Sequence, residues 1–336
     1  MSKSLQDHYE RVYNTPNLYT RIDSENIPSG KREVRLFVIA RNEALRLPYF
    51  LDYYLKLGID RIFFLDNNST DNTREIALSY PNTHVFKIDE GYKYAWYWME
   101  FFLEQYGKNR WCVVADVDEL MYYPYREVIG LKELIRYLEM NRFTALKSLL
   151  LDMYSDVPIC DTQYMPGEDP LQICRYFDTS YISKPCQFMD KKHWMHYDSE
   201  IFIGGVRQRI FGTTRQQEWN FCLSKVPLFK HSNKTYLNEG MHAINGAKIA
   251  DIKGAMLHTK FMQDFIFKSK EEAIREQFWQ NGAEHKIYNF HLSQSPDLIL
   301  KNNASIKFIN SKQLIQYDLM QSSPDFDNYI ENLQNN

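Results

Sequence analysis

The chain has 336 residues, a formal net charge of −3, 44% hydrophobic and 25% charged residues. That length suits one core domain with a substantial appended part, and the composition excludes wholesale disorder. The near-neutral charge gives no support to a nucleic-acid binder with its basic face. No apolar run approaches the roughly 20 residues that span a bilayer. The stretch Met1 to Gly30 is polar and tyrosine-rich, without the apolar segment of a signal peptide. The five cysteines, Cys112, Cys160, Cys174, Cys186 and Cys222, include no Cys-x-x-Cys pair. Neither a disulfide framework nor a zinc site is expected, and a reducing cytoplasm fits.

The predicted elements begin with Val34 to Ala40, an apolar run rich in β-formers that reads as a buried strand. Glu43 to Leu57 has helical apolar spacing at Leu47, Phe50, Leu51, Tyr54 and Leu55. Its Pro48 falls in the first turn and Gly58 ends it. Arg61 to Leu65 is a second strand, and the polar turn Asp66 to Asp71 can cap the next helix. His84 to Ile88, helix Gly91 to Tyr106 and strand Trp111 to Ala115 complete about 85 residues of strand–helix alternation. That alternation predicts an α/β fold, a mostly parallel sheet flanked by helices. Further on, Leu131 to Met140 reads as a helix and Thr144 to Leu151 as a strand. Asp152 to Asn233 reads as loop-rich, Lys270 to Trp279 as a helix, and the last ten residues as a fraying end. The expected organisation is an extension at 1–33, a nucleotide-binding half at 34–150, an acceptor-side half at 151–317 and a tail at 318–336.

In doubly wound sheets ligands bind at the carboxyl ends of the strands, and the polar motifs fall there. Asp116-Val117-Asp118-Glu119 follows the fourth strand. Residues i and i+2 of an extended segment point the same way, so Asp116 and Asp118 can converge on a hard divalent cation with oxygen ligands. A departing diphosphate needs such an ion; the plainer alternative is a solvated acidic turn. Arg41-Asn42-Glu43 follows the first strand, where Asn42 or Glu43 can hold a ribose or base. Asp66 to Asp71, including Asn68, follows the second, where Asp66 can accept from a base N–H. Lys93, after the third strand, can meet a phosphate or is simply solvated.

Ala40-Arg41-Asn42-Glu43, then Asp66-Asn67-Asn68-Ser69-Thr70-Asp71, then Asp116-Val117-Asp118-Glu119 resemble the family 2 glycosyltransferases. More narrowly the chain resembles a bacterial family 2-like branch in which Asp-x-Asp-Glu follows a Lys-containing aromatic helix. The segments Leu151 to Tyr154, Gly204 to Gly212, Lys225 to Leu228 and Leu257 to Phe261 are similar to that branch too, so the resemblance runs from about Val34 to Tyr317. It implies a GT-A type, Rossmann-like fold, a nucleotide-sugar donor and Mn²⁺ or Mg²⁺. It implies donor roles for Glu43 and Asp66, metal ligation by Asp118, and Asp116 near ribose or metal. Arg41 stands where many members have Tyr. His258 would join the metal, as a late histidine does in many GT-A enzymes, and Lys260 would meet the diphosphate. The alternative for His258 is a packing residue. Beyond the glycine pair Gly204 and Gly205, Arg207, Arg209 and Lys225 can form a basic wall for diphosphate or an anionic acceptor, the plainer alternative being ordinary surface charges, and His242 can be an acceptor-site group. Glu239 would be the general base, with Asp156 and Glu200 as rivals.

These readings imply a cytoplasmic glycosyltransferase acting on a glycan or lipid-linked glycan in bacterial surface polysaccharide, inverting, with peripheral membrane association open to it. Two enzymes compete. A haloacid-dehalogenase-like phosphatase also puts Asp-x-Asp after a strand, but near the N-terminus. A nucleotidyltransferase needs a glycine-rich triphosphate loop that is missing after the first strand. A nucleotide-sugar-binding scaffold without transfer is the non-enzymatic alternative.

Overall fold

The computed structural model describes residues 19–28, 30, 32–190, 195–212, 221–238 and 241–335. Seven strands come first: β1 Thr20–Arg21, β2 Arg35–Ala40, β3 Arg61–Asp66, β4 Thr83–Lys87, β5 Trp111–Val114, β6 Glu119–Tyr122 and β7 Ala145–Asp152. Then come β8 Tyr176–Phe177, β9 Tyr181–Asp190, β10 Met195–Gly204, β11 Ser224–Lys230, β12 Tyr236–Leu237, β13 Ile244–Asn245, β14 Ile249–His258 and β15 Ile306–Lys307. Nine of them form the central sheet in the order β1-β4-β3-β2-β5-β11-β7-β14-β6. Strands β2, β3, β4, β5, β7 and β14 run one way, and β1, β6 and β11 oppose them. The sheet is α/β and mostly parallel, as its strand–helix alternation predicts.

Parallel strands covered on both faces read as continuous apolar runs, and β2 and β3 are buried along almost their whole length. Alternation divides each between two cores. Leu36, Val38, Ile62 and Phe64 pack with Phe50, Leu51 and Tyr54 of helix Leu47–Leu57. Phe37, Phe63 and Leu65 pack with Tyr97, Trp98 and Phe102 of helix Ala95–Phe102. Gly58 ends the first helix at φ 115°, a conformation that suits glycine because it has no Cβ. The expected helix from Gly91 is a 3₁₀ turn Tyr92–Tyr94, the α-helix Ala95–Phe102 and a wider turn Leu103–Gly107.

The second half departs from its loop-rich expectation. Strand β11 lies in the middle of the sheet, between β5 and β7. Its Pro227 hid it, because proline cannot donate to a ladder; the structure places a register irregularity between Lys225 and Leu228 of β11. Strands β9 and β10 form a ten-pair antiparallel hairpin. The helix expected at Lys270 to Trp279 starts earlier, at Gln263, ends at Arg275, and is followed by another, Trp279–Gln294.

Both ends of the described chain are stitched to the core. Asp23 contacts His84 of β4 at 3.1 Å, and Glu33 pairs with Arg35 and Arg61. Residues expected as a tail contain the helix Pro324–Gln334, capped by Ser323, with Phe326 and Ile330 buried. Phe326 lies 4.6 Å from the Tyr137 ring, so apolar burial outweighs the polar composition of this segment. Among the described residues no helix is long and apolar enough to cross a membrane.

Candidate functional site

Topology brings three distant residues to one place. Strand β14 lies between β7 and β6, and its last residue, His258, pairs in register with Asp152 on one side and Glu119 on the other. Asp118 immediately precedes β6. His258 Nε2 therefore meets Asp118 Oδ2 at 3.1 Å, and His258 Nδ1 meets Asp152 Oδ1 at 2.7 Å. Arg207 holds Asp152 from behind through two hydrogen bonds, Nε at 2.8 Å and Nη2 at 2.9 Å. Burial alone would raise the Asp118 pKa, but the charge and hydrogen bond of His258, with Arg46 and Lys260, hold it well below the carboxylate range. Burial opposes the charge on His258, yet Asp118 and Asp152 raise its pKa.

The cleft in front of this array, about 200 Å³, is bounded by residues 39–43, the turn 116–118, His258, Lys260 and the helix Gln263–Arg275. Side chains tie that helix to the first polar motif across more than 200 residues of sequence. Lys268 donates to Glu43 at 2.5 Å, Arg46 to Asp264 at 2.7 Å, and Arg41 to Glu271 at 3.2 Å. A second hollow, lined by Arg41, Asn67, Asn68, Gly91, Arg275 and Gln277, adjoins the first at Arg41 and Arg275. Buried polar atoms without hydrogen-bond partners gather here: Arg41 Nε, Glu43 Oε2, Glu272 Oε2, Gln277 Oε1 and His285 Nδ1. Such groups are costly to leave unsatisfied and accumulate where a ligand supplies the missing partner. Burial pushes the Glu43 and Glu272 carboxyls up despite neighbouring cations.

The sequence-predicted residues divide into two sets. Arg41, Asn42, Glu43, Asp116, Asp118, His258 and Lys260 all line the cleft. Asn42, at φ 53°, also braces the second motif: its N–H donates to Ser69 and its Oδ1 accepts from the Thr70 N–H at 2.8 Å. Asn68 lines the second hollow. Asp66 is fully buried, its carboxylate held by Arg74 at 2.5 and 2.9 Å and by the Ser69 N–H at 3.1 Å. Lys93 is exposed and lies over the Tyr94 ring, while Tyr92 next to it faces the cleft.

The basic wall expected beyond the glycine pair does not form. Arg207 is buried against Asp152 and also reaches Glu284 at 3.2 Å. Arg209 is spent on Asp178 and on the Leu300 carbonyl. Lys225 is buried between Glu119 at 2.8 Å and Asp116 at 3.3 Å. Arg207 and Lys225 are neutralised inside the fold, because a buried charge needs a partner, and the exposed Arg209 is paired at the surface. Gly204 and Gly205, at φ 129° and 61°, make the turn that leads β10 towards Arg207, and a Cβ on Gly204 would strike the Ser180 carbonyl. His242 Nδ1 contacts the Ser224 carbonyl at 2.8 Å. Glu239 lies outside the described residues. Of its rivals, Asp156 accepts from Tyr176 and Glu200 pairs with Lys147, and neither lines the cleft.

A divalent cation is compatible with this chemistry. A histidine whose Nδ1 is fixed by a carboxylate presents Nε2 in the orientation metal-ligating histidines use. Among the described residues no three His, Cys, Asp or Glu side chains form a cage by themselves.

Sequence reasoning missed the far wall of the cleft, formed by Phe265, Lys268, Glu271, Glu272, Arg275, Phe278 and His285. Acidic and basic residues at helical spacing were the available signal, but nothing local showed that this helix crosses the strand ends.

Residues 36–128 match the model of a family described as Glycosyl transferase family 2. No curated protein matches the chain. Among solved structures, the chain is similar to a mannosyltransferase from Pyrobaculum calidifontis in complex with GDP-Man and Mn²⁺. That alignment has 20% identity and a TM-score of 0.28, and covers 44% of this chain and 42% of the other. The chain therefore spans less than half the length of that relative. It is also similar to a 4-diphosphocytidyl-2C-methyl-D-erythritol synthase from Anaerococcus prevotii, with 9% identity and a TM-score of 0.25, covering 86% of this chain and 98% of the other.

Proposed function

We propose, for a chain whose residues 36–128 are a family 2 glycosyltransferase domain, that the cleft binds a nucleotide-sugar and passes its sugar to a hydroxyl of a glycan or lipid-linked glycan. The observation that carries this is the meeting of Asp118 and His258 Nε2 at 3.1 Å, with His258 Nδ1 anchored on Asp152. Asp118 and His258 would hold Mn²⁺ or Mg²⁺, with Asp116 beside them. When bound, the ion neutralises negative charge that develops on the departing diphosphate.

The protein's own groups then divide the work. Lys260 adds a cation at the diphosphate end, and Glu284 at 3.1 Å positions its ammonium. Asn68, Arg41 and Arg275 line the hollow that would receive the nucleoside. Asp66 orders the second motif through Ser69 and Arg74, and contributes to base recognition from there. The Asp116–Asp118 turn and helix Gln263–Arg275 face each other across the cleft. A carboxylate takes the acceptor proton as the sugar transfers with inversion; Glu239 is the residue the resemblance points to. The same resemblance supports a role in bacterial surface polysaccharide, from the cytoplasmic side of the membrane.

The test is a thermal-shift screen of nucleotide-sugars with and without Mn²⁺, followed by donor turnover. A bound donor stabilises the fold by mass action. The reading fails if no donor stabilises the protein in Mn²⁺ and none is consumed. Binding without consumption would favour the scaffold alternative, and turnover of phosphate monoesters would favour a phosphatase.

A further inference from the structure

His285 lines the cleft yet is 7% exposed, and its Nδ1 is sealed from solvent with no partner. A buried imidazole ordinarily has a partner on at least one nitrogen. The ring sits 4.8 Å from Phe278 and 6.0 Å from Tyr288, and Phe278 lies 4.9 Å from Tyr92. Tyr92 and Phe278 line the same cleft as Asp118 and His258. The backbone that presents this wall is unusual. Glu276, Gln280 and Asn281 have φ of 52°, 49° and 56°, and Gly282 has 73°. Non-glycine residues avoid this region unless the surroundings hold them there, and such residues cluster at ligand sites.

Burial, reinforced by Lys260, lowers the His285 pKa to about 3, so the ring is neutral at physiological pH. A neutral ring has one donor and one acceptor nitrogen. Nδ1 is the sealed nitrogen and Nε2 is not, so the tautomer that strands no N–H leaves Nδ1 bare and puts the proton on Nε2. A neutral donor flanked by aromatic rings is poorly suited to hold a phosphate, which the cations of this cleft serve better. It suits a hydroxyl on a ring whose C–H face can lie on Phe278. The group one bond beyond the diphosphate in a nucleotide-sugar is such a ring.

We propose that His285 and Phe278 form a subsite for the donor's sugar, with the imidazole hydrogen-bonded to one of its hydroxyls and Phe278 as the platform. This rests on the glycosyl-transfer reading and adds the residues that choose the sugar. The probes are UDP-glucose, UDP-galactose, UDP-N-acetylglucosamine, GDP-mannose and dTDP-glucose, each paired with its nucleoside diphosphate. Calorimetry in Mn²⁺ on the full chain compares wild type with His285→Phe, which fills the space without a donor, and His285→Asn, which restores a polar group. The expected result is at least tenfold weaker nucleotide-sugar binding for His285→Phe, nucleoside diphosphate affinity within twofold of wild type, and partial recovery with His285→Asn. Equal loss for sugar and diphosphate would place the contact on phosphate and overturn the proposal. Unchanged sugar binding would overturn it too, assigning the wall to the acceptor or to packing. If wild type binds none of the nucleotide-sugars, the glycosyl-transfer reading falls first and takes this inference with it, a failure distinguishable from one confined to the variants.

Discussion

Lys225 and Glu119 form a buried ion pair at 2.8 Å directly behind the Asp116–Asp118 turn. Glu119 is 1% exposed and Lys225 4%. Burial drives the carboxyl pKa up, and Lys225 counters it; the partnership with Glu119 and Asp116 raises the lysine pKa against its own burial. Removing one partner strands the other charge. Lys225→Met should destabilise the protein by about 3–5 kcal/mol, and Lys225→Met with Glu119→Gln should recover part of that loss. Urea unfolding of the two variants checks this. A single variant as stable as wild type would show that the pair does not brace the turn.

The Asp118–His258 contact predicts a separation of folding from function. Asp118→Asn should abolish the dependence of nucleoside diphosphate binding on Mn²⁺. His258→Ala should cut donor turnover on the order of a hundredfold. Asp152 has a different part: it orients the imidazole and neutralises buried Arg207. Asp152→Asn should therefore lower the melting temperature as well as turnover, since it leaves Arg207 under-compensated. Melting curves in EDTA beside Mn²⁺-dependent turnover decide the matter. A destabilised His258→Ala with normal specific activity would make that histidine a packing residue.

Asp66 and Arg74 supply a test of indirect action. Asp66→Ala should raise donor KM more than it lowers kcat, the pattern of lost uniform binding. Because the Asp66 carboxylate is bonded to Arg74, Arg74→Ala should reproduce most of that KM change if Asp66 works by ordering the turn. A normal donor KM in Arg74→Ala would mean that Asp66 meets the base itself.

The parallel half of the fold was legible because its strands are uninterrupted apolar runs followed by polar turns. Val34 to Ala40 and Arg61 to Leu65 needed only that rule; the carboxyl-end rule then pointed to Glu43 and Asp118, and the family resemblance to His258. What stayed hidden depends on long-range pairing. Pro227 masks β11, so Lys225 looked like a surface cation when it is a buried partner of Glu119. Arg207 and Arg209 misled in the same way, since their carboxylates, Asp152 and Asp178, lie 55 and 31 residues away. The Gln263–Arg275 helix carries no motif, and only its packing over the strand ends reveals Glu272 and Arg275 as cleft residues.

The general base can be assigned by comparing two carboxylates. Glu239 holds the place that family resemblance gives to the base. Among the described residues Glu272 is a rival: like Glu43, which Lys268 holds, it lines the cleft, its Oε2 has no hydrogen-bond partner, and burial raises its pKa over the opposing pull of Arg275. A base must be deprotonated to accept the acceptor's proton, so activity should rise with pH through its folded-state pKa. If Glu272 is the base, kcat/KM should climb through a midpoint above the ordinary glutamate value of about 4.3, and Glu272→Gln should remove that limb with a loss of about 10²–10⁴-fold. Donor affinity should change little, because the glutamine keeps the shape of the wall. If Glu239 is the base, Glu239→Gln should show that loss, and Glu272→Gln should keep the wild-type pH profile. Transfer rates of both variants from pH 4 to 9, with nucleotide-sugar affinity measured alongside, separate the two. A full-rate Glu272→Gln with an unaltered acid limb would exclude Glu272.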